Sequence, residues 1–212
     1  MLDAFRLEQQ LPQLKALIEK LINLTLDWKS IPFPCFTHGQ KASPSTAGKE
    51  LAVYINRLSL VYQKIATHRF AGKLNGAVGN YSAMLAAFPN FDWIELSKNV
   101  IEDLGFKQNI CTTQVECHDS FAHYFDLVRL FNNIVIDLNR DCWMYISRSL
   151  FSEQTKAGEV GSSTMPHKVN PINFENSEGN LQLANANLSF LSDKLTTSRM
   201  QRDLSDSTIQ RN

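Results

Sequence analysis

Residues 158–176 concentrate side chains that could do chemistry. They carry hydroxyls, an imidazole, an ammonium group, amides and a carboxylate, on Ser162, Ser163, His167, Lys168, Asn170, Asn173, Glu175 and Asn176. Glycines and prolines within the stretch disfavour a continuous helix and bias the residue before each proline toward extended backbone. A loop of this length inside a compact domain is usually functional or disordered. We therefore predict a functional loop, with a flexible Gly/Ser/Pro connector as the alternative.

Two other regions carry candidate chemistry. His38 precedes a glycine in a loop, and an imidazole can exchange protons near neutral pH, although a lone histidine is more often structural. Near the end of the sequence, Arg202, Ser207 and Arg211 offer two guanidinium groups and a hydroxyl. Such groups suit bidentate contacts with a phosphate, although a charged segment of this kind is more often a solvated surface.

The elements that must position these residues are helices. Apolar residues recur at helical spacing in four segments, which are residues 8–29, 47–70, 119–150 and 176–198. Ser45 or Thr46 can cap the second of them, and the prolines within residues 30–34 require extended backbone before it. We find no strand-like alternation of useful length and no internal repeat. The prediction is an all-α chain, a bundle of long helices in which residues 119–150 are buried among several neighbours.

Composition excludes some classes of function. The sequence has 21 basic and 21 acidic residues, so net charge favours neither nucleic acid nor an anionic membrane surface. It contains no stretch of about 18 uncharged apolar residues. The four cysteines, Cys35, Cys111, Cys117 and Cys142, lack Cys-x-x-Cys spacing, which favours buried reduced thiols over a disulfide or zinc site. We expect a soluble, cytoplasmic protein.

A possible metal cluster is weak on spacing. Glu116, His118 and Asp119 carry suitable donor atoms, but their positions do not bring all three onto one face of a helix. No metal site is predicted there.

Residues 161–171, Gly-Ser-Ser-Thr-Met-Pro-His-Lys-Val-Asn-Pro, resemble the signature loop of the fumarase/aspartase superfamily. The order His-Lys, followed by Asn-Pro-Ile and Phe-Glu-Asn, is most similar to the bacterial adenylosuccinate lyase family. Other blocks agree in order along the chain: Thr-His-Gly-Gln at 37–40, Lys-x-Asn-Gly-Ala-Val-Gly-Asn at 73–80 and Thr-Gln at 113–114. The resemblance covers nearly all of residues 1–212, but only the central helical domain of a longer enzyme.

The resemblance implies elimination of fumarate from a succinyl-bearing substrate. The implied base is Ser162, with Ser163 as a rival that spacing alone does not exclude. Lys168 would supply positive charge to the substrate carboxylate, with a hydrogen bond from Asn170 beside it. A serine hydroxyl is too weak an acid to act unassisted, so it needs a charged and dry environment. His38 would protonate the leaving nitrogen, oriented by Glu175.

The same resemblance implies the substrates and the assembly. Substrate-contacting positions would be Thr37, Thr113, Gln114 and Met165, and the nucleotide phosphate would be held by Arg202, Ser207 and Arg211. The implied substrates are adenylosuccinate and the succinyl-carboxamide ribotide SAICAR. No metal or organic cofactor is implied. The implied assembly is a homotetramer with shared active sites, so we expect little activity from the chain alone.

Two alternatives stay open. One is a superfamily lyase for another substrate, such as argininosuccinate, although Arg202, Ser207 and Arg211 favour a phosphate-bearing substrate. The other is a helical assembly module without catalysis, against which the intact His38, Ser162 and Lys168 argue.

Overall fold

A computed structural model describes residues 1–153 and 169–205. The predicted all-α bundle is confirmed, with two small sheets added to it. Its helices are α1 Leu2–Phe5, a π-helical turn Arg6–Gln10, α2 Leu11–Trp28, α3 Ala47–Ala66, α4 Ser82–Ala87, α5 Trp93–Asp103, α6 Asp119–Ser147 and α7 Ile172–Leu195. Its strands are β1 Pro32–Thr37, β2 Gln40–Thr46, β3 Ala71–Gly72 and β4 Lys107–Gln108.

The core lies where α3 packs between α2 and α6. Leu58 and Ile65 of α3 and Phe131 of α6 are almost fully buried, and Phe70 closes one end of this cluster. Helix α7 runs antiparallel to α6, because Asn139 bonds Ser177 near the end of α6 while Ser192 contacts the Ala122 carbonyl near its start. Apolar residues at helical spacing thus produce the expected bundle, and α6 forms its longest member.

Helix α3 begins at one of the two predicted caps. The backbone N–H of Lys49 donates to the Thr46 hydroxyl at 3.2 Å, so Thr46 rather than Ser45 is the N-cap. The helix ends at Ala66, four residues before the predicted limit.

The loop predicted around His38 is instead part of a β-hairpin. Strand β1 pairs with β2 in antiparallel register from Pro32↔Thr46 to Thr37↔Gln40, with an irregularity after Pro34. These strands were not predicted because their prolines remove backbone donors and interrupt the alternation that is typical of a strand. A two-stranded ribbon tolerates them because each strand has a free edge.

Helix α7 begins earlier than predicted. Pro171 lies at its N-cap position, and the first turn contains Glu175, which was predicted to lie in a loop. A proline at this boundary costs no helical hydrogen bond, because the first N–H groups of a helix have no partner within it. The prediction for residues 158–168 lies outside the described residues.

The four cysteines are free thiols. Their predicted burial is wrong for Cys111, which is exposed, while the other three are half-buried. In residues 1–153 and 169–205, every helix is too short or too polar to cross a membrane.

Candidate functional site

His38 lies at the tip of the β1–β2 hairpin. Because Thr37 pairs with Gln40, only His38 and Gly39 form the connection, and both have positive φ, 52° and 74°. A two-residue type I′ turn requires positive φ at both central positions. Glycine adopts this backbone easily, whereas histidine does so at a cost. Thr37 and His38 are both exposed, so the hairpin presents the imidazole to its surroundings.

The hairpin is fastened to the C-terminal end of α6. Arg148 follows the helix, donates from Nη1 to the Gly39 carbonyl at 3.0 Å, and stacks its guanidinium 4.7 Å from the Phe36 ring centre. Phe33 is buried, with its ring 4.9 Å from Tyr145. These contacts place His38 beside the end of α6. Arg148 was not among the predicted site residues, and its one signal in the sequence is a basic residue at the end of a long helical pattern.

A cavity of about 270 Å³ with a mixed polar and apolar lining lies under the hairpin tip. It is lined by Phe36, Gly39, Glu50, Asp141, Met144, Tyr145 and Arg148. Tyr54 donates a hydrogen bond to Asp141, and Tyr145 donates to Glu50. Burial raises the pKa of the Asp141 carboxyl, although the Tyr54 hydrogen bond acts in the opposite direction. The paired tyrosines and carboxylates connect α3 and α6 beneath the turn that carries His38.

Asn170 and Glu175 lie near the same end of α6. They line a cavity of about 450 Å³ with Trp143, Ile146, Ser147, Val169, Pro171 and Ile172. Glu175 accepts a hydrogen bond from the Trp143 indole at 2.9 Å. Within residues 1–153 and 169–205, no hydrogen bond joins Glu175 to His38, so the orienting role of Glu175 stays a prediction.

Thr113 and Gln114 lie at the opposite end of α6, just before its N-terminus. The backbone there contacts residues 72–81, since Lys73 Nζ donates to the Gln114 carbonyl at 2.9 Å. The turn after α7 is also at this end, because the Leu195 carbonyl lies 3.3 Å from His118 Nδ1. Arg202 is exposed in this turn. Its neighbour Asp203 has its pKa lowered by hydrogen bonds from Ser205.

The two groups of candidates are far apart in one chain. Helix α6 has 29 residues, and at about 1.5 Å of rise per residue it is roughly 43 Å long. His38, Asn170 and Glu175 lie near its C-terminal end, whereas Thr113, Gln114 and Arg202 lie near its N-terminal end. One chain therefore does not bring all of these side chains to one substrate.

Six predicted site residues lie outside the described residues. They are Ser162, Ser163, Met165, Lys168, Ser207 and Arg211. Their roles stay predictions.

The potential metal donors at residues 116–119 have other partners. Glu116 accepts hydrogen bonds from Asn109 Nδ2 at 2.9 Å and from the His118 backbone at 2.7 Å. In the part of the chain that the structure describes, no group of three or more His, Cys, Asp or Glu side chains could hold a metal ion.

Comparison with known proteins identifies the family. A family model described as "Lyase" matches residues 2–185. Adenylosuccinate lyases from Haemophilus influenzae and Escherichia coli K12 are 51% and 50% identical to the whole chain, which covers 46% of each. The enzyme of the same name from Vibrio cholerae is 52% identical over 95% of the chain, which here covers 44% of the relative.

A solved structure shares the fold. The 3-carboxy-cis,cis-muconate lactonizing enzyme from Pseudomonas putida superposes with a TM-score of 0.74 at 21% identity, over 97% of this chain and 46% of that one. The chain thus spans less than half the length of the relatives that it matches. With the family model matching most of its residues, and with about 50% identity to three named lyases, the chain belongs to the lyase family.

Proposed function

We propose that this chain is the central helical domain of an adenylosuccinate lyase. This enzyme eliminates fumarate from two substrates, converting adenylosuccinate to AMP and SAICAR to the corresponding carboxamide ribotide. One observation carries the proposal: about 50% identity to adenylosuccinate lyases extends over the whole chain. The sequence motifs at 37–40 and 161–171 support the same conclusion.

The reaction removes a proton from a carbon beside a carboxylate, and the intermediate concentrates negative charge on that group. Catalysis requires a base, a positive group for the developing charge and an acid for the departing nitrogen. Ser162 is the proposed base, Lys168 the positive group with Asn170 beside it, and His38 the acid. The exposed hairpin tip supports the last assignment, because it presents the imidazole outward on a turn held by Arg148.

We further propose that the active sites are shared between chains of a homo-oligomer, with a tetramer as the expected state. The separation of roughly 43 Å along α6 supports this, because a neighbouring chain can supply the groups that one chain keeps apart. Exposed apolar side chains on α6 and α7 provide surface for such contacts: Leu130, Trp143, Met144, Leu183 and Phe190 are each 39–65% exposed.

Other features of the proposal follow from the resemblance. Thr37, Thr113, Gln114, Ser163 and Met165 would contact substrate, and Arg202, Ser207 and Arg211 would hold its phosphate. Glu175 would orient His38, and no cofactor is required. Free thiols at all four cysteines support a cytoplasmic location.

The test is an assay of the full-length protein with adenylosuccinate, following release of fumarate. We expect turnover by the wild type, and a loss of at least about 100-fold in kcat for Ser162→Ala because the base is removed. Ser152→Ala serves as a matched control on an exposed serine outside the proposed site. The chain 1–212 alone should show little or no turnover.

Three results would contradict parts of this proposal. Turnover of argininosuccinate but not of adenylosuccinate would mean that argininosuccinate is the substrate. An unchanged rate for Ser162→Ala with a large loss for Ser163→Ala would move the base to the neighbouring hydroxyl. Absence of any elimination by the folded full-length protein would favour the assembly-module alternative.

A further inference from the structure

The glycine loop, residues 72–81, is joined to residues 110–114 by a buried amide. Asn75 is completely buried, and its Nδ2 donates to the Ile110 carbonyl and the Thr112 hydroxyl, each at 2.9 Å. The Thr112 hydroxyl in turn lies 3.1 Å from the Thr113 carbonyl, to which it can donate. A buried amide that satisfies several partners holds them in one arrangement, since each lost bond would leave an unpaired polar group.

Close backbone contact joins the same two segments. Gly79 has φ of +75°, and a Cβ atom at this position would lie 2.0 Å from the Thr112 carbonyl oxygen. Glycine is therefore required both by its backbone conformation and by the lack of space. The glycine loop lies directly against the backbone that leads to Gln114.

Lys73 makes the contact nearest to Gln114. Its Nζ donates to the carbonyls of Gly76 and Gln114, each at 2.9 Å. Burial lowers the pKa of the Lys73 ammonium. Among residues 1–153 and 169–205, Lys73 forms no ion pair with a carboxylate. Its ammonium group therefore connects two loops through their carbonyls and is not part of a surface salt bridge.

Gln114 itself differs from these neighbours in being exposed. Its backbone carbonyl is held by Lys73, whereas its side-chain amide forms no hydrogen bond within the described parts of the chain. An exposed amide on a fixed backbone can bind a polar group that arrives from outside without first having to be ordered.

We propose that Lys73 is a positioning residue for substrate binding, acting through Gln114. By joining the Gly76 and Gln114 carbonyls, the ammonium fixes the backbone from which the Gln114 amide reaches substrate. This inference rests on the proposed function, which supplies both the substrate and the contact between Gln114 and that substrate.

A double-mutant cycle in the full-length protein tests the coupling. Lys73→Met and Gln114→Ala are made singly and together, with Lys98→Met as a matched control, since Lys98 forms only an exposed ion pair with Glu95. We expect Lys73→Met to lower kcat/KM for adenylosuccinate about tenfold, mainly by raising KM. The double variant should lose no more than Gln114→Ala alone, because both changes remove one interaction. Losses that multiply would overturn the proposal.

Amide hydrogen exchange supplies a second readout that needs no activity. Hydrogen-bonded N–H groups lie at Gly79 and Tyr81 of the glycine loop and at Asn109, next to the other segment. In the chain itself, Lys73→Met should speed exchange at these amides by about tenfold or more, while Lys98→Met should leave it unchanged. Unchanged exchange in Lys73→Met would overturn the proposal even if the enzyme is active. If Lys73→Met speeds exchange but the full-length wild type does not convert adenylosuccinate, the positioning role is supported and the proposed substrate is rejected. Lys73→Arg, which keeps charge and donors, should recover part of the protection.

Discussion

At the tip of the β1–β2 hairpin, His38 has a left-handed backbone, which is uncommon for residues other than glycine. The following Gly39 meets the same requirement without cost. Strained conformations of this kind cluster at functional sites, where the surrounding structure holds them in place. Here the Arg148 hydrogen bond to Gly39 and its stacking on Phe36 supply that support. The turn and the Arg148 contacts therefore account for the positive φ of His38, a backbone feature that Tyr81 and His118 also show.

Replacing His38 with Asn separates the backbone from the chemistry. Asparagine followed by glycine is a favoured type I′ sequence, so the free energy of unfolding of the chain should be unchanged or slightly higher. The full-length enzyme should nevertheless lose about 100-fold or more in kcat, because the proposed acid is gone. Denaturant unfolding and a fumarate-release assay measure the two effects. If His38→Asn retained full activity, the imidazole would have no role in proton transfer.

Two glycines in helices show how the helices depend on their neighbours. Gly48 lies in the first turn of α3, where an added Cβ would be 2.6 Å from the Thr25 carbonyl oxygen and 2.8 Å from Lys29. The start of α3 thus touches the backbone at the end of α2. Gly179 lies within α7, and an added Cβ would meet no atom within 4 Å. The same residue type therefore permits close helix packing at one site and only weakens the helix at the other.

We predict opposite effects for alanine at these two positions. Gly48→Ala should destabilise the chain by about 2 kcal/mol or more, because the methyl group overlaps backbone that cannot move aside easily. Gly179→Ala should stabilise it by about 0.5–1 kcal/mol, since alanine has the higher helix propensity. Urea unfolding of both variants beside the wild type measures the difference. A similar change in the same direction for both would mean that packing against α2 does not decide the effect.

For the whole molecule, the length of α6 determines which residues one chain can bring together. Its C-terminal end carries the hairpin with His38, through Arg148. Its N-terminal end carries the glycine loop, through the Ala71 N–H bond to Ser120. With roughly 43 Å between these ends, a substrate the size of a nucleotide does not reach both within one chain. Assembly brings them together only if the C-terminal end of α6 in one chain lies beside the N-terminal end of α6 in another.

Mixing two inactive full-length variants tests this geometry. His38→Ala and Gln114→Ala should each have low activity alone. If His38 and Gln114 of one site come from different chains, subunit exchange creates some sites with both groups intact, so the mixture should be clearly more active than either variant. A control mixture replaces the Gln114 variant with Ser152→Ala. It shows how mixing with His38→Ala subunits by itself changes the activity per chain. Activity no higher than the average of the separate variants would mean that the two residues do not act in different chains of one assembly.

Much of the architecture was readable from local pattern. Helical spacing of apolar residues predicted α2, α3, α6 and α7, because a helix must bury one face whatever its neighbours are. The Thr46 cap was one of two candidates for the same reason, since a capping side chain acts on backbone two or three residues away. The hairpin was not predicted because its strands contain prolines, which are rare in strands. The start of α7 was predicted too late because Pro171 was taken as part of a loop, whereas it lies at the N-cap position of the helix.

The sequence by itself determined the helical class, the family and the identity of the candidate residues, since these follow from short-range spacing and from motifs that stay intact along the chain. Only the tertiary structure decided which candidates lie at which end of α6, which of the two residues caps α3, and how Arg148 and Lys73 hold the segments that carry His38 and Gln114. The physical reason is distance along the chain. Arg148 contacts a turn 109 residues away and Lys73 a carbonyl 41 residues away, and no local pattern encodes such pairs.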